Sequence, residues 1–397
     1  MAALPIGAWA EDSNTTNCTW LFSQFYDNAA IMSHSSGDSS TDEVYNFEGL
    51  YFCLQGNATR TLIAKIENMP NETAPSVDDY TPFKKGSYVG MTYNAKSASW
   101  GNRQADATGN YQMASMKFGS AGKLYVLALP SYNATNRSVK IYTYENSAMT
   151  EKASATRTVN SGSPWFLLSC DVTSGQRYFI GSQEGTWTLY AVKFVPTTDK
   201  DSRKKISVNM SQGYATFSSC SNFAVPSGYK AYTAQVSEEN AVLTEISDIP
   251  ANTGVILKGE AVASLELSSK TSASSAVSGN DLVANVGNYT LPVSGTIVGT
   301  TYYNYTLAAG PVFKHSSGVG TLAAGKAFLR TTVNVEGGGS ARSISLTFEG
   351  SDITGVNEVN VQKEDITNGE YYDLMGRRVV NPTKGLYIVN GKKVFFK

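Results

Sequence analysis

The sequence predicts an all-β molecule, and three observations carry that prediction. Short runs with period-two alternation recur from end to end, as in Lys140-Ile141-Tyr142-Thr143-Tyr144, the pattern of a strand with one buried face. Between the runs lie breaks rich in Gly, Asn, Ser and Asp, the residues that supply turn conformations. No amphipathic run of helical length competes with the strands, so sheets packed on sheets are expected rather than a parallel α/β sheet. The composition agrees: 41% of residues are hydrophobic and only 16% charged, a balance suited to sheets with polar outer faces.

The first unit, residues 16–196, is expected to be a β-sandwich of jelly-roll-like build. Trp20 to Tyr26 opens it, and strands follow at Leu50 to Leu54, Thr61 to Ile66, Met113 to Phe118, Lys123 to Leu129, Val139 to Tyr144, Trp165 to Cys170, Arg177 to Gly181 and Thr186 to Val195. Trp20, Trp165 and Trp187 sit inside these strand patterns and read as core. Thr197 to Lys205 is polar and charged without one apolar residue, which marks a boundary. A second β-rich unit, 206–350, then runs through strands such as Tyr214 to Phe217, Tyr229 to Gln235, Thr301 to Leu307 and Ser343 to Phe348. Inside it, Pro250-Ala251-Asn252-Thr253-Gly254 reads as a turn before the buried strand Val255-Ile256-Leu257. The glycines there read as turn and close-packing positions rather than phosphate loops. Residues 351–397 form a compact meander of hairpins, in which Asn390-Gly391 is a strong signal for a two-residue turn.

Bulk properties bound the function. A chain of 397 residues suggests two or three domains. The net charge of −1 gives no field that would favour nucleic acid. No stretch approaches the roughly 18 apolar residues of a transmembrane helix. Residues 1–10 read as a truncated signal peptide: Ala8-Trp9-Ala10 has the small-x-small form of a cleavage site, ahead of the acidic Glu11-Asp12. An exported protein, at the cell surface or extracellular, is therefore expected. Cys18, Cys53, Cys170 and Cys220 show no zinc spacing. They can pair in three ways or remain as free buried thiols, and no bridge is assigned.

Catalysis is not expected. There are only two histidines, His34 and His315, both in Ser/Gly-rich surroundings and without a GxSxG elbow, and HExxH and Walker A motifs are absent. A glycosidase would need two carboxylates about 5–10 Å apart in one groove. Asp38, Asp42 and Glu43 read as a solvated acidic loop, so neither metal nor cofactor is expected. Lys204-Lys205 and Arg377-Arg378 read as ordinary surface charges.

Ligand binding is the sharper expectation. Sugars are held by an aromatic face against the CH-rich side of the ring, with hydrogen-bonding side chains around it. The segment from Tyr93 to Gln104 reads as a loop that concentrates these types: Tyr93, Asn94, Trp100, Asn102 and Arg103, with Tyr111 added to the same surface. Trp100 lacks the apolar neighbours of a core residue. The expected partner is a glycan, and the alternative is a structural or adhesive protein that binds other surface proteins.

Three resemblances extend this reading. Tyr372-Asp373-Leu374-Met375-Gly376-Arg377, then Gly385-Leu386-Tyr387-Ile388-Val389 and the terminal Lys397, resemble the C-terminal sorting domain of Bacteroidetes type IX secretion substrates, which pairs a YDLxGRxV-like strand with a GxYIV-like strand. That resemblance implies an address read by secretion machinery and says nothing about activity. GYATF (Gly213 to Phe217), GYKAY (Gly228 to Tyr232), IPANTGVILKG (Ile249 to Gly259) and GTLAAGKAFL (Gly320 to Leu329) resemble β-domains of secreted gut and oral Bacteroidetes proteins. Thr19 to Phe22, Gly49 to Phe52, Gly122 to Ala128 and Tyr190 to Pro196 more loosely resemble non-catalytic β-sandwich modules attached to Bacteroidetes polysaccharide lyases. These are framework strands, so they bear on fold rather than ligand.

Overall fold

The computed structural model describes residues 13–21, 43–54, 65–68, 89–93, 114–130, 137–145, 148–157, 166–182, 187–238, 240–273, 275, 277–285, 287, 289–297, 300–315, 320–335, 343–348, 371–373, 377–380, 385–389 and 392–396. Every regular element among them is a strand. The chain divides into two compact units, Met1–Glu349 and Gly350–Lys397.

The first thirteen strands build a two-sheet sandwich. One sheet runs Ala148–Arg157, Arg137–Glu145, Arg177–Gly181, Ala114–Phe118, Leu50–Leu54, Glu43–Phe47, with Ser13–Asn14 parallel to Ala114–Phe118. The other runs Phe166–Val172, Gly122–Pro130, Trp187–Pro196, Val89–Tyr93, Lys65–Asn68, with Cys18–Leu21 also on Trp187–Pro196. A register shift between Leu189 and Ala191 lies where that long strand passes from one partner to the other, the place a bulge is useful. Alternation does the sorting. Leu124, Val126 and Ala128 point into the core with Trp20, Phe118, Ile141, Trp187 and Phe194, while Lys123 is exposed. The Trp20 indole is wholly buried and donates to the Phe47 carbonyl at 2.8 Å, so its one polar atom is satisfied. Trp187 is buried too, whereas Trp165 lies outside the described residues.

Sheets after residue 205 contain no strand from before 197. Lys205–Met210, Val262–Lys270, Asn222–Ala224 and Asp248–Ile249 make a four-stranded sheet. A ten-stranded sheet, from Tyr214–Phe217 through Val255–Lys258 and Lys230–Ser237 to Lys326–Thr331 and Leu282–Asn285, curls into a nearly closed barrel. Tyr232, Ile256, Tyr305, Phe313, Leu329 and Ile344 share its core. The expected turn forms at Pro250–Gly254, with Thr253 N donating to the Pro250 carbonyl at 3.2 Å. A Cβ on Gly254 would lie 2.8 Å from the Leu282 carbonyl oxygen, so this glycine is a close-packing position.

The two sets of strands meet within the first unit. Cys220, Leu291 and Phe328 belong to the same apolar cluster as Trp20 and Phe118. Thr19 N donates to the Cys220 carbonyl at 2.8 Å, and the Asn252 amide donates to the Thr19 carbonyl at 2.6 Å. The free edge of Cys18–Leu21 is thus paired rather than open.

In the second unit the strand order is Arg378–Val379, Tyr371–Tyr372, Gly385–Val389, Lys392–Phe396. Val389 stands opposite Lys392, a register that leaves two residues for the turn, as Asn390-Gly391 predicts.

Candidate functional site

Of the residues expected to contact a ligand, Asn94, Trp100, Asn102, Arg103 and Tyr111 lie outside the described residues. Tyr93, expected in a loop, instead ends the strand Val89–Tyr93, in register with Trp187. Among the sorting-segment positions, Tyr372 and Tyr387 lie on paired strands and Gly385 opens one, while Gly376 and Lys397 are outside the described residues. Asp373 and Arg377 close the intervening turn: Asp373 accepts from the Arg377 backbone N at 2.9 Å and from its guanidinium at 2.8 Å. His315, expected in a loop, ends the strand Val312–His315 with its ring 5.0 Å from that of Tyr305. The aromatic packing of a strand end holds it there.

The described residues do form a pocket, in the second set of strands. It encloses about 430 Å³, within the roughly 300–1,000 Å³ of small-ligand clefts. Turns shape its rim. Asn209 folds back so that its side-chain oxygen accepts from Ser211 N at 2.9 Å, and Gly213 N closes the same turn on the Met210 carbonyl at 2.8 Å. Gly213 has φ of 73° and Gly325, in a second rim turn, has φ of 79°, conformations that glycine adopts without strain. Tyr214 supplies aromatic surface and sits partly buried, with the Lys258 ammonium 5.7 Å from its ring centroid. Asn209, Gln212, Thr306 and Lys326 bring amide, hydroxyl and ammonium groups, and Leu307 and Leu322 complete the apolar part. Among the described residues Lys326 has no carboxylate partner. The pocket thus joins part of an aromatic side chain, which also packs against the barrel core, to amide, hydroxyl and ammonium groups that can hydrogen-bond.

This pocket escaped the sequence reading although its signals were quoted. Tyr214 lies in GYATF and Lys326 in GTLAAGKAFL, motifs whose glycines read as turn and close-packing positions. What the sequence could not give is that the turns flanking them converge.

A second polar cluster sits where the two sets of strands meet. Glu48 lies in the tight turn between Glu43–Phe47 and Leu50–Leu54, with φ of 52°, a conformation unfavourable for a residue with a Cβ. Its carboxylate pairs with Lys204 at 2.6 Å, accepts from the Ser219 hydroxyl, and accepts from Cys220 N at 2.7 Å. Burial works against the charge on Lys204, but the carboxylate and the nearby thiols outweigh it and hold the ammonium well above its usual value. Lys204 is therefore no ordinary surface charge, a correction to the expectation for Lys204-Lys205. Nothing in the polar run TTDKDSRKK marks one lysine of it for burial. Lys205 does remain at the surface, paired with Glu266.

Among the described residues, no three His, Cys, Asp or Glu side chains converge as a metal site would require. No helix there is long and apolar enough to cross a membrane.

No family model matches the chain, and no curated protein matches it. Among solved structures, it is similar to the CBM22-1 and GH10 modules of the Clostridium thermocellum endo-1,4-β-D-xylanase 10B complexed with xylohexaose. The identity is 8% and the TM-score 0.24, over 48% of this chain and 29% of that one.

Proposed function

We propose that this chain is an exported, non-catalytic binding protein whose ligand is a carbohydrate. The observation that carries the reading is the pocket beside Tyr214, which combines an aromatic surface with Asn209, Gln212, Thr306 and Lys326 in about 430 Å³. The Tyr93–Tyr111 stretch of the first sandwich is the second place where a sugar platform is proposed. Protein docking is less well supported. Among the described residues the one large hydrophobic side chain left exposed is Val380, where a docking face would show a contiguous apolar patch. The edge strand Ala148–Arg157 carries Glu151 and Lys152, paired with Lys140 at 2.9 Å and Glu145 at 3.2 Å, and charge on an edge discourages strand addition. Export rests on the sorting-type resemblance of Tyr372 to Lys397.

The test is a glycan array with the full chain, followed by titration of the best ligand against three variants. Tyr214→Ala and Gln212→Ala are expected to weaken binding about tenfold, or about 1.4 kcal/mol. Gln212 is an exposed turn residue, so its variant separates lost contact from lost folding. Loss in Trp100→Ala alone would place the site in the first sandwich. Absence of binding to plant, host and microbial glycans would overturn the carbohydrate reading in favour of the structural or adhesive one.

A further inference from the structure

Beside the Glu48–Lys204 pair lie two thiols from distant parts of the chain. Cys18 opens the strand Cys18–Leu21 of the sandwich, and Cys220 lies in the Ser218–Ser221 segment of the second set of strands. Their backbones are joined one residue on by the 2.8 Å bond from Thr19 N to the Cys220 carbonyl. Their side chains converge as well. The Ser221 hydroxyl lies 2.9 Å from Cys18 Sγ and 3.9 Å from Cys220 Sγ, so both thiols sit around one hydroxyl. A disulfide needs α-carbons about 4.4–6.8 Å apart and Cβ vectors that converge; two thiols around one hydroxyl, on segments joined by a backbone hydrogen bond one residue away, are placed for such a pairing.

We propose that Cys18 and Cys220 are a disulfide-forming pair, which under oxidising conditions staples the first sandwich to the second set of strands. The oxidant is a low-molecular-weight disulfide of the glutathione type. One thiolate attacks a sulfur of that disulfide and releases one external thiol. The second thiolate then displaces the other external thiol from the mixed disulfide. Two protein thiols lose two protons and two electrons, and one external disulfide becomes two thiols.

Once the two parts have docked, the surroundings favour Cys18 as the sulfur that closes the bond, displacing the external thiol from a mixed disulfide on Cys220. Burial raises its pKa, but the hydrogen bond from Cys220 and the charge of Lys204 more than reverse this, so its value falls below that of an ordinary thiol. Cys220, for which burial dominates, is raised. Cys170 is the contrast: its thiol is pushed up to about 11, chiefly by burial, and it has no thiol partner among the described residues. Cys18 and Cys220 are only 1% and 0% exposed, so an external disulfide reaches them during folding, before the two parts dock. The pair spans about 200 residues of chain, and a loop of that length is where a cross-link restricts the unfolded chain most.

The experiment refolds the full chain in a glutathione buffer, either oxidising or reducing. It then alkylates free thiols in denaturant and maps non-reduced peptides by mass spectrometry. The expected result is one linked peptide pair carrying Cys18 and Cys220 in the oxidised sample only, with two fewer alkylated thiols per chain. Cys18→Ser should abolish the linked pair and leave Cys220 alkylated. If Cys18 and Cys220 are both alkylated after oxidative refolding to a chain with native circular dichroism, the proposal fails. It fails equally if either is found bridged to Cys53 or Cys170.

Discussion

Glu48 shows how one residue can serve a contact at the expense of its own backbone. Its φ of 52° costs about 1–2 kcal/mol for a residue with a Cβ, and glycine would be easier there. The carboxylate it presents to Lys204, Ser219 and Cys220 outweighs that cost. Removing it leaves a part-buried ammonium and two donors without their acceptor, so Glu48→Ala is expected to destabilise the first unit by about 1–3 kcal/mol in urea unfolding. Glu48→Gly loses the same pair but sheds the backbone strain, and it should be about 1 kcal/mol less damaging than the alanine variant. Equal losses would show that the turn is not strained. Asp281 illustrates a different balance. Burial raises its pKa, opposed by the hydrogen bond from Val236 N at 2.7 Å. The folded state therefore holds the proton more tightly than the unfolded chain. At pH below the ordinary carboxylate value both states are protonated and the residue costs nothing. As pH rises through its folded pKa, the wild type must ionise a partly buried acid and loses stability. Asp281→Asn keeps an acceptor for Val236, so its stability relative to wild type should rise from pH 4 to pH 7. Urea midpoints at the two values check this, and a gap that closes on raising the pH would refute it.

At the scale of elements, the sequence was most legible where period-two alternation met a buried face. Arg177–Gly181 has the bounds its pattern predicts, Gly122–Pro130 extends its expected range by a residue at each end, and Trp187–Pro196 begins and ends one residue later than Thr186 to Val195. Turn chemistry was legible as well, at Pro250–Gly254 and in the register around Asn390-Gly391. The strand Ala148–Arg157 was not seen. It is an edge strand, and the side chains it turns to the core are only Ala153 and Ala155, too small to stand out among Glu151, Lys152 and Thr156. Val89–Tyr93 was missed although Val89, Met91 and Tyr93 alternate with Gly90 and Thr92; Gly90 weakens the strand signal, and Tyr93 runs straight on into a polar segment. The pocket at Tyr214 was illegible for another reason. Its side chains come from turns far apart in sequence, and their meeting depends on how a ten-stranded sheet closes, which local pattern does not encode. The Lys204 seam was hidden in the same way, since a lysine gains a buried partner only through the docking of a remote hairpin.

At the scale of the molecule, the division into Met1–Glu349 and Gly350–Lys397 bears on the proposed address segment. A sorting unit must be separable from the protein it directs, because its recognition cannot depend on the fold of each cargo. The four short strands that end at Phe396 pair only with one another, and the turn between the first two is fastened internally by Asp373 and Arg377. The seam at Glu48 and the pocket at Tyr214 are built entirely from residues of the first unit. Deleting 350–397 should therefore leave the melting temperature of the remainder within about 2 °C of the full chain, a shift of roughly 1–2 kcal/mol in a unit of this size. Glycan binding should be retained. Expressed behind an added export signal in a Bacteroidetes host, the same deletion should abolish appearance at the cell surface and trap folded protein in the periplasm. A large fall in melting temperature would make the terminal strands part of the structural core. Unchanged surface display would remove the sorting role and leave those strands as a terminal hairpin unit of another purpose.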